Sequence, residues 1–287
     1  TMQANFLSVV LLPLALGVIM MGLGLSLRID DFKRVLVFPK AVLIGLLCQM
    51  ILLPVICYFI ASGFGLSPEL AVGLMLLSAS PGGPTANLYS HIAKGDVALN
   101  VTLTAINSLI SVFSITFIVN FAMASFMRSD QAIPLQFKKV VEVCVVVLGP
   151  VSIGMLIRSY ASSFAEKLSK PVKIASASFL VLVIVLTIIK EKAHIVQDFQ
   201  MVGFPTLLLN VLSMAIGYYV PRLFNLAKSQ AIAIGMEIGI HNGTLAIFIA
   251  LSVIGNSTMS IPALIYSLIM FFTAAIFGYL VNLKNQE

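Results

Sequence analysis

An acid, an imidazole and an amide fall within six residues of one another in the stretch Glu237-Ile238-Gly239-Ile240-His241-Asn242-Gly243-Thr244. Apolar sequence flanks them on both sides, from Ala231-Ile232-Ala233-Ile234 to Leu245-Ala246-Ile247-Phe248. Within a membrane segment an ionisable side chain is costly unless it faces a cavity or a partner. Gly239 and Gly243 weaken the helix where these polar groups cluster. An acid beside an interrupted helix at membrane depth points to an ion or substrate site. A protonated glutamate in a helix–helix hydrogen-bond patch is the plainer alternative.

A second break lies upstream. Ser78-Ala79-Ser80-Pro81-Gly82-Gly83-Pro84-Thr85-Ala86-Asn87 holds two prolines and two adjacent glycines that no regular helix continues through. The apolar run before it is too short to span a bilayer alone. Asn87 and Asn242 stand 155 positions apart. Shifting the first four hydrophobic segments by about that interval lands them near the last four. An odd number of helices between the copies inverts the second, and paired breaks in two inverted halves point to a transporter's central site. Half-helix N-termini favour an anion. Half-helix C-termini and unwound carbonyls favour a small hard cation.

Composition sets the frame for these breaks. The 287 residues are 60% hydrophobic and 10% charged, with mean hydropathy +1.07, the make-up of an all-α polytopic membrane protein. Nine segments are predicted at about 5–27, 38–62, 68–92, 96–126, 137–157, 170–190, 201–224, 228–254 and 259–283, forming one transmembrane domain. Cys48, Cys57 and Cys144 lie in apolar runs and read as buried thiols, with no cysteine–histidine metal spacing. The net charge of +6 is scattered through loops, which argues for bilayer orientation rather than nucleic acid. With the N-terminus outside, twelve Lys and Arg face inward and Arg128, Lys138, Lys139, Lys190 and Lys192 face outward. That bias predicts N-out and C-in; a bacterial inner membrane is the expected location. Met2 reads as the native start, with no cleaved signal peptide.

Gln49 with Pro54, the Pro81-Gly82-Gly83 break, Ala93-Lys94-Gly95-Asp96-Val97-Ala98-Leu99 and Glu237-Ile238-Gly239-Ile240-His241-Asn242 together resemble the bile acid:sodium symporter family. The resemblance implies ten helices in two inverted repeats, here nine because segment 1 matches the family's second helix. Segments 5–27, 137–157 and 170–190 would form a panel. Residues 38–126 and 201–283 would form a core with two broken, crossing helices. The resemblance also implies two sodium ions. Asn87, Asn100, Thr104 and Glu237 would hold the first. Gln49, Glu237, His241 and the carbonyls of Ile238 and Ile240 would hold the second. A substrate carboxylate would lie near Thr85, Asn242 and Thr244.

The chain departs from the family at several of these positions. Ala86 and Asn100 stand where the family has serine, and His241 where it has glutamine. Imidazole is a poor ligand for an alkali ion, so one or two sodium ions are expected, and a proton on His241 or Glu237 is an alternative to one of them. A His-Asn pair tied to bile acids is Met270-Phe271 here. The expected function is therefore sodium-coupled import of an organic anion, bile-acid-like or a small monocarboxylate such as pyruvate or pantoate, by alternating access.

Other readings remain. A proton-coupled or uncoupled arsenite-type carrier would use a reactive thiol such as Cys144. An intramembrane enzyme lacks its motifs here, with no Gly-x-Ser-x-Gly and no His-Glu-x-x-His. A channel lacks a filter motif. Glu142 is expected to pair with Lys138 or Lys139, His91 and His194 to be solvated at helix ends, and Asn107 carries no assignment. The native substrate and the oligomeric state are not encoded in any motif.

Overall fold

Pro39, Pro68 and Pro84 each stand in the first turn of a helix, where a missing N–H forfeits no bond and φ is already helical. The computed structural model describes residues 7–127, 137–191 and 195–283. Thr1, Met2, Arg128, Lys192, His194 and Lys284, along with the Lys190 side chain, lie outside the described residues.

Helix α1 (Leu12–Ser26) follows a π-helical turn, Leu7–Leu11, and precedes a short α2 (Ile29–Lys33). A second π-helical turn, Cys48–Leu52, joins α3 (Pro39–Leu47) to α4 (Leu53–Gly63). Helices α5 (Pro68–Ala79) and α6 (Pro84–Ile92) flank the first break and lead into α7 (Val97–Phe126). Next come α8 (Phe137–Tyr160), α9 (Ser162–Glu191) and α10 (Ile195–Leu223). Helices α11 (Lys228–Gly239) and α12 (Gly243–Phe248) flank the second break. A third π-helical turn, Ile249–Ile254, extends α12, and α13 (Ile261–Leu283) ends the described chain.

Among the described residues, six helices are long and apolar enough to cross a membrane: Val9–Ser26, Pro39–Gly63, Val97–Phe126, Lys138–Tyr160, Val196–Leu223 and Thr258–Leu283. They match six of the nine predicted segments. Segments 68–92 and 228–254 are each split into two half-helices, as their prolines and glycines require. Segment 170–190 lies inside α9, which starts earlier, at Ser162, and carries Glu166, Lys167, Lys170 and Lys173. The spans expose large apolar side chains such as Phe113, Phe117, Phe121, Phe272 and Tyr279, the inverse of a water-facing surface.

Packing divides unevenly along the chain. Helix α1 packs chiefly on α8 and α9, where Gly24 abuts the Val151 backbone and Gly154 the Met21 and Leu25 backbone, a close approach that only small residues permit. Helix α11 packs chiefly on α10, and α5 on α7.

The two halves share a backbone pattern. Among the described residues the left-handed positions are Gly65, Lys94, Asn225 and Gly255, with φ of 59°, 61°, 60° and 81°. Gly65 and Asn225 each stand three residues before a half-helix, and both turns close with an N–H reaching back five residues, Leu66 to Ala61 and Leu226 to Pro221. Lys94 and Gly255 each stand three residues before a helical start, Val97 and Thr258. The internal offset is thus about 160 positions, slightly longer than the asparagine pair suggests.

Candidate functional site

Each half-helix stops because its next residues leave helical space. Ser80 is extended (φ −72°, ψ 141°) ahead of Pro81, and Ile240 is extended (φ −113°, ψ 92°). The two unwound segments meet antiparallel. Gly83 N–H donates to the Ile240 carbonyl at 2.8 Å, and Asn242 N–H donates to the Pro81 carbonyl at 2.8 Å. Backbone groups that a broken helix would leave unpaired in the apolar interior are satisfied by the other break.

Glu237 reaches this crossing from the last turn of α11 and is fully buried. Thr104 Oγ1 lies 2.6 Å from Glu237 Oε2 and 3.0 Å from the Asn100 carbonyl; its single proton goes to the carboxylate, the closer and stronger acceptor. Asn107 Nδ2 donates to Glu237 Oε1 at 3.0 Å. A Cβ on Gly82 would overlap the Glu237 carboxyl, so the glycine supplies the room that the acid occupies.

Further amide side chains bond the backbones of the half-helices, and their orientation follows from their partners. Gln49 Nε2 donates to the carbonyls of Ser78 (3.2 Å) and Ser80 (2.9 Å), and Asn100 Nδ2 donates to the Ala233 carbonyl at 2.7 Å. Carbonyls only accept, so the nitrogens face them and the oxygens face elsewhere. Gln49 Oε1, Asn87 Oδ1, Asn100 Oδ1 and Asn107 Oδ1 are buried with no hydrogen-bond partner. His241 Nδ1 lies 2.9 Å from the Ser80 carbonyl and therefore carries the proton, which leaves Nε2 buried and unpartnered.

The local helix geometry explains how Gln49 arrives there. Pro54 has no N–H for the Met50 carbonyl, and the ladder shifts so that Leu53 N–H bonds Cys48. Gln49 sits in that π-helical turn, 2% exposed.

Ile238 lacks its ordinary helical partner, because the Asn242 N–H that would serve its carbonyl bonds Pro81 instead. The Ile240 carbonyl holds one bond from Gly83 and retains its second lone pair. A buried carboxylate, break carbonyls with a free lone pair and unpartnered amide oxygens are the ligand chemistry of a hard monovalent cation. Among the described residues no three His, Cys, Asp or Glu side chains form a transition-metal cluster.

Of the residues singled out in the sequence, Gln49, Thr104, Glu237 and His241 thus meet around the break carbonyls, with Asn100 one turn from Thr104. Asn242 caps α12 by accepting the Leu245 N–H at 3.1 Å, and its Nδ2 is buried without a partner. Thr244 is buried, whereas Thr85 is exposed in the first turn of α6. Asn107 was legible but unassigned: with Asn100 and Thr104 it makes an i, i+4, i+7 face on α7. Asn210 and Tyr266, which hold the Gly239 carbonyl, carried no sequence signal beyond a polar atom in an apolar run. His91 is exposed at the end of α6, and Glu142 lies 3.9 Å from Lys139.

The profile of the sodium bile acid symporter family matches residues 13–198. An uncharacterised sodium-dependent transporter of Bacillus subtilis (strain 168) is 27% identical over 88% of this chain and 77% of its own. A probable chloroplastic sodium/metabolite cotransporter of Oryza sativa subsp. japonica is 27% identical over 91% of this chain. This chain spans 61% of that plant relative's length. The ileal sodium/bile acid cotransporter of Oryctolagus cuniculus is 25% identical over 85% of this chain and 71% of its own.

Proposed function

The chain belongs to the sodium bile acid symporter family, and from that premise we propose that it is a sodium-coupled secondary symporter that imports an organic anion. The supporting observation is the buried Glu237 carboxylate, held by Thr104 and Asn107 at the crossing, with the side-chain oxygens of Gln49, Asn87 and Asn100 buried and unpartnered. Sodium is the cation that the names of its relatives carry.

One ion is held by Asn87, Asn100, Thr104 and Glu237. A second, where it binds, uses Gln49, Glu237 and the carbonyls of Ile238 and Ile240. His241 contributes by holding Ser80 in place, and its Nε2 is the weaker donor to such an ion. Cation binding draws α5, α7 and α11 together and shapes the front of the crossing. There Thr85, Asn242 and Thr244 receive the substrate carboxylate. Helices α1, α8 and α9 act as the panel. Residues 38–126 and 201–283 act as the core, which rocks against the panel to give alternating access. The nine predicted segments span the bacterial inner membrane with the N-terminus outside and the C-terminus in the cytoplasm.

The substrate is bile-acid-like or a small monocarboxylate such as pyruvate or pantoate. Phe271, which with Met270 stands where the family resemblance implies a His-Asn pair, stacks on Tyr89 with ring centroids 6.1 Å apart, and this apolar contact, one turn along α6 from Thr85, supports the smaller anions.

The test is thermal stability of the purified chain as sodium replaces potassium at constant ionic strength and pH. A ligand of the folded state raises stability with its concentration. A sodium-specific rise that vanishes in Glu237→Ala supports the reading. A rise retained in Glu237→Ala sinks the ion assignment, and a response to pH alone moves the coupling to protons.

A further inference from the structure

The carbonyl of Gly239 is held by two side chains outside the proposed ion site. Asn210 Nδ2 on α10 donates to it at 3.0 Å, and Tyr266 Oη on α13 donates at 2.9 Å. Its helical partner is diverted, since Gly243 N–H bonds the His241 carbonyl. Two donors fill both lone pairs of a carbonyl, so Gly239 is withdrawn from cation binding and fixed toward α10 and α13. Ser213 Oγ lies 3.2 Å from Tyr266 Oη, and the Tyr266 ring lies 5.1 Å from the His241 ring. Asn210, Ser213 and Tyr266 are fully buried.

The other half of the molecule repeats the device. Gln49 Nε2 and His241 Nδ1 both lie 2.9 Å from the Ser80 carbonyl, at the end of the first half-helix. Gln49 and Asn210 stand 161 positions apart, close to the internal offset, each on the helix preceding its break. One pair of side chains therefore anchors the C-terminus of each half-helix.

We infer that Asn210 and Tyr266 are positioning residues for the cation site: by pinning the Gly239 carbonyl they set the direction of its neighbour, the Ile238 carbonyl. Successive carbonyls in a helical turn are offset by about 100° around the axis. A Gly239 carbonyl tied to α10 and α13 thus keeps Ile238 turned away from them. Met214 blocks any side chain on Gly239, so the peptide is oriented by these two donors rather than by its own bulk. The inference rests on the cation reading above, and it adds helices α10 and α13 to the elements that determine ion affinity.

The experiment is a sodium chloride titration of thermal stability, with potassium chloride as replacement, on the purified full chain and on Tyr266→Phe, Asn210→Ser and Asn210→Gln. Tyr266→Phe keeps the ring against His241 and removes one donor. It should raise the half-stabilising sodium concentration about fivefold, the factor one hydrogen bond is worth. Asn210→Ser should do at least as much, and Asn210→Gln, which retains the carboxamide, should recover most of it. A lower melting temperature in potassium with an unmoved sodium half-point in Tyr266→Phe and Asn210→Ser would overturn the positioning role and leave the cation site standing. No sodium response in the wild type overturns both.

Discussion

The two breaks are built alike and used differently. Both follow a twelve-residue half-helix, α5 and α11, and both stop in extended backbone. The first, Ser80-Pro81-Gly82-Gly83, contributes backbone and space, and the helix after it exposes Thr85, Leu88, His91 and Ile92. The second contributes Glu237, His241 and Asn242, and the chain after it is buried from Gly243 to Leu251. The position 160 residues before Glu237 is Leu77, buried and apolar. Two facing acids in this interior would repel each other and could not both ionise. The repeat keeps its shape while only one copy carries the charge, and the other supplies the hollow at Gly82 that receives it.

The most severe way to break this asymmetry is to restore it chemically. Leu77→Glu buries a second acid with no donor set of its own and should cost about 3 kcal/mol or more. Denaturant unfolding in detergent would register it, and a loss below 1 kcal/mol would mean that the first half tolerates the charge.

Gly82→Ala places a methyl in the Glu237 carboxyl and should cost about 1–3 kcal/mol while abolishing the sodium response. Gly83→Ala is the internal control, because a Cβ there meets only ordinary contacts at 3.6 Å and beyond. Equal behaviour of the two variants in a sodium titration would remove the division of labour between the breaks.

Asn107→Ala sharpens the comparison on the acid's side. It removes a hydrogen bond to a charged group, worth about 1.5–3 kcal/mol, and should raise the half-stabilising sodium concentration roughly tenfold or more. The smallest stability effect belongs to Thr85→Ala, within about 0.5 kcal/mol because the residue is exposed. Its consequence should show instead as a higher KM for uptake of a monocarboxylate such as pyruvate into vesicles under an inward sodium gradient. An unchanged KM would move the substrate site away from α6.

Much of this arrangement was legible in the residues. Hydropathy alone marks the spans, because twenty apolar residues in a row have few other uses. Pro81, Gly82, Gly83 and Pro84 announce the first break, and Gly239 with Gly243 announces the second. Glu237 is an acid in an apolar run and draws attention by itself. Asn107 carried the spacing but not the assignment, since a helix face is known only once its neighbour is known. Asn210 and Tyr266 had no local signature, because their partner is a backbone carbonyl 27 to 29 positions away.

The sequence by itself determined the helices, their interruptions and the identity of the acid set deep in an apolar run, Glu237, since those follow from local propensity, hydropathy and proline and glycine chemistry. Only the tertiary structure decided which groups meet. Gly83 pairs with Ile240, Asn107 with Glu237, and Gln49 and His241 share Ser80. Those choices depend on how two halves pack across about 160 residues of chain. In an apolar interior every polar group must find a partner within a few ångströms, and only the packed fold brings those partners into reach.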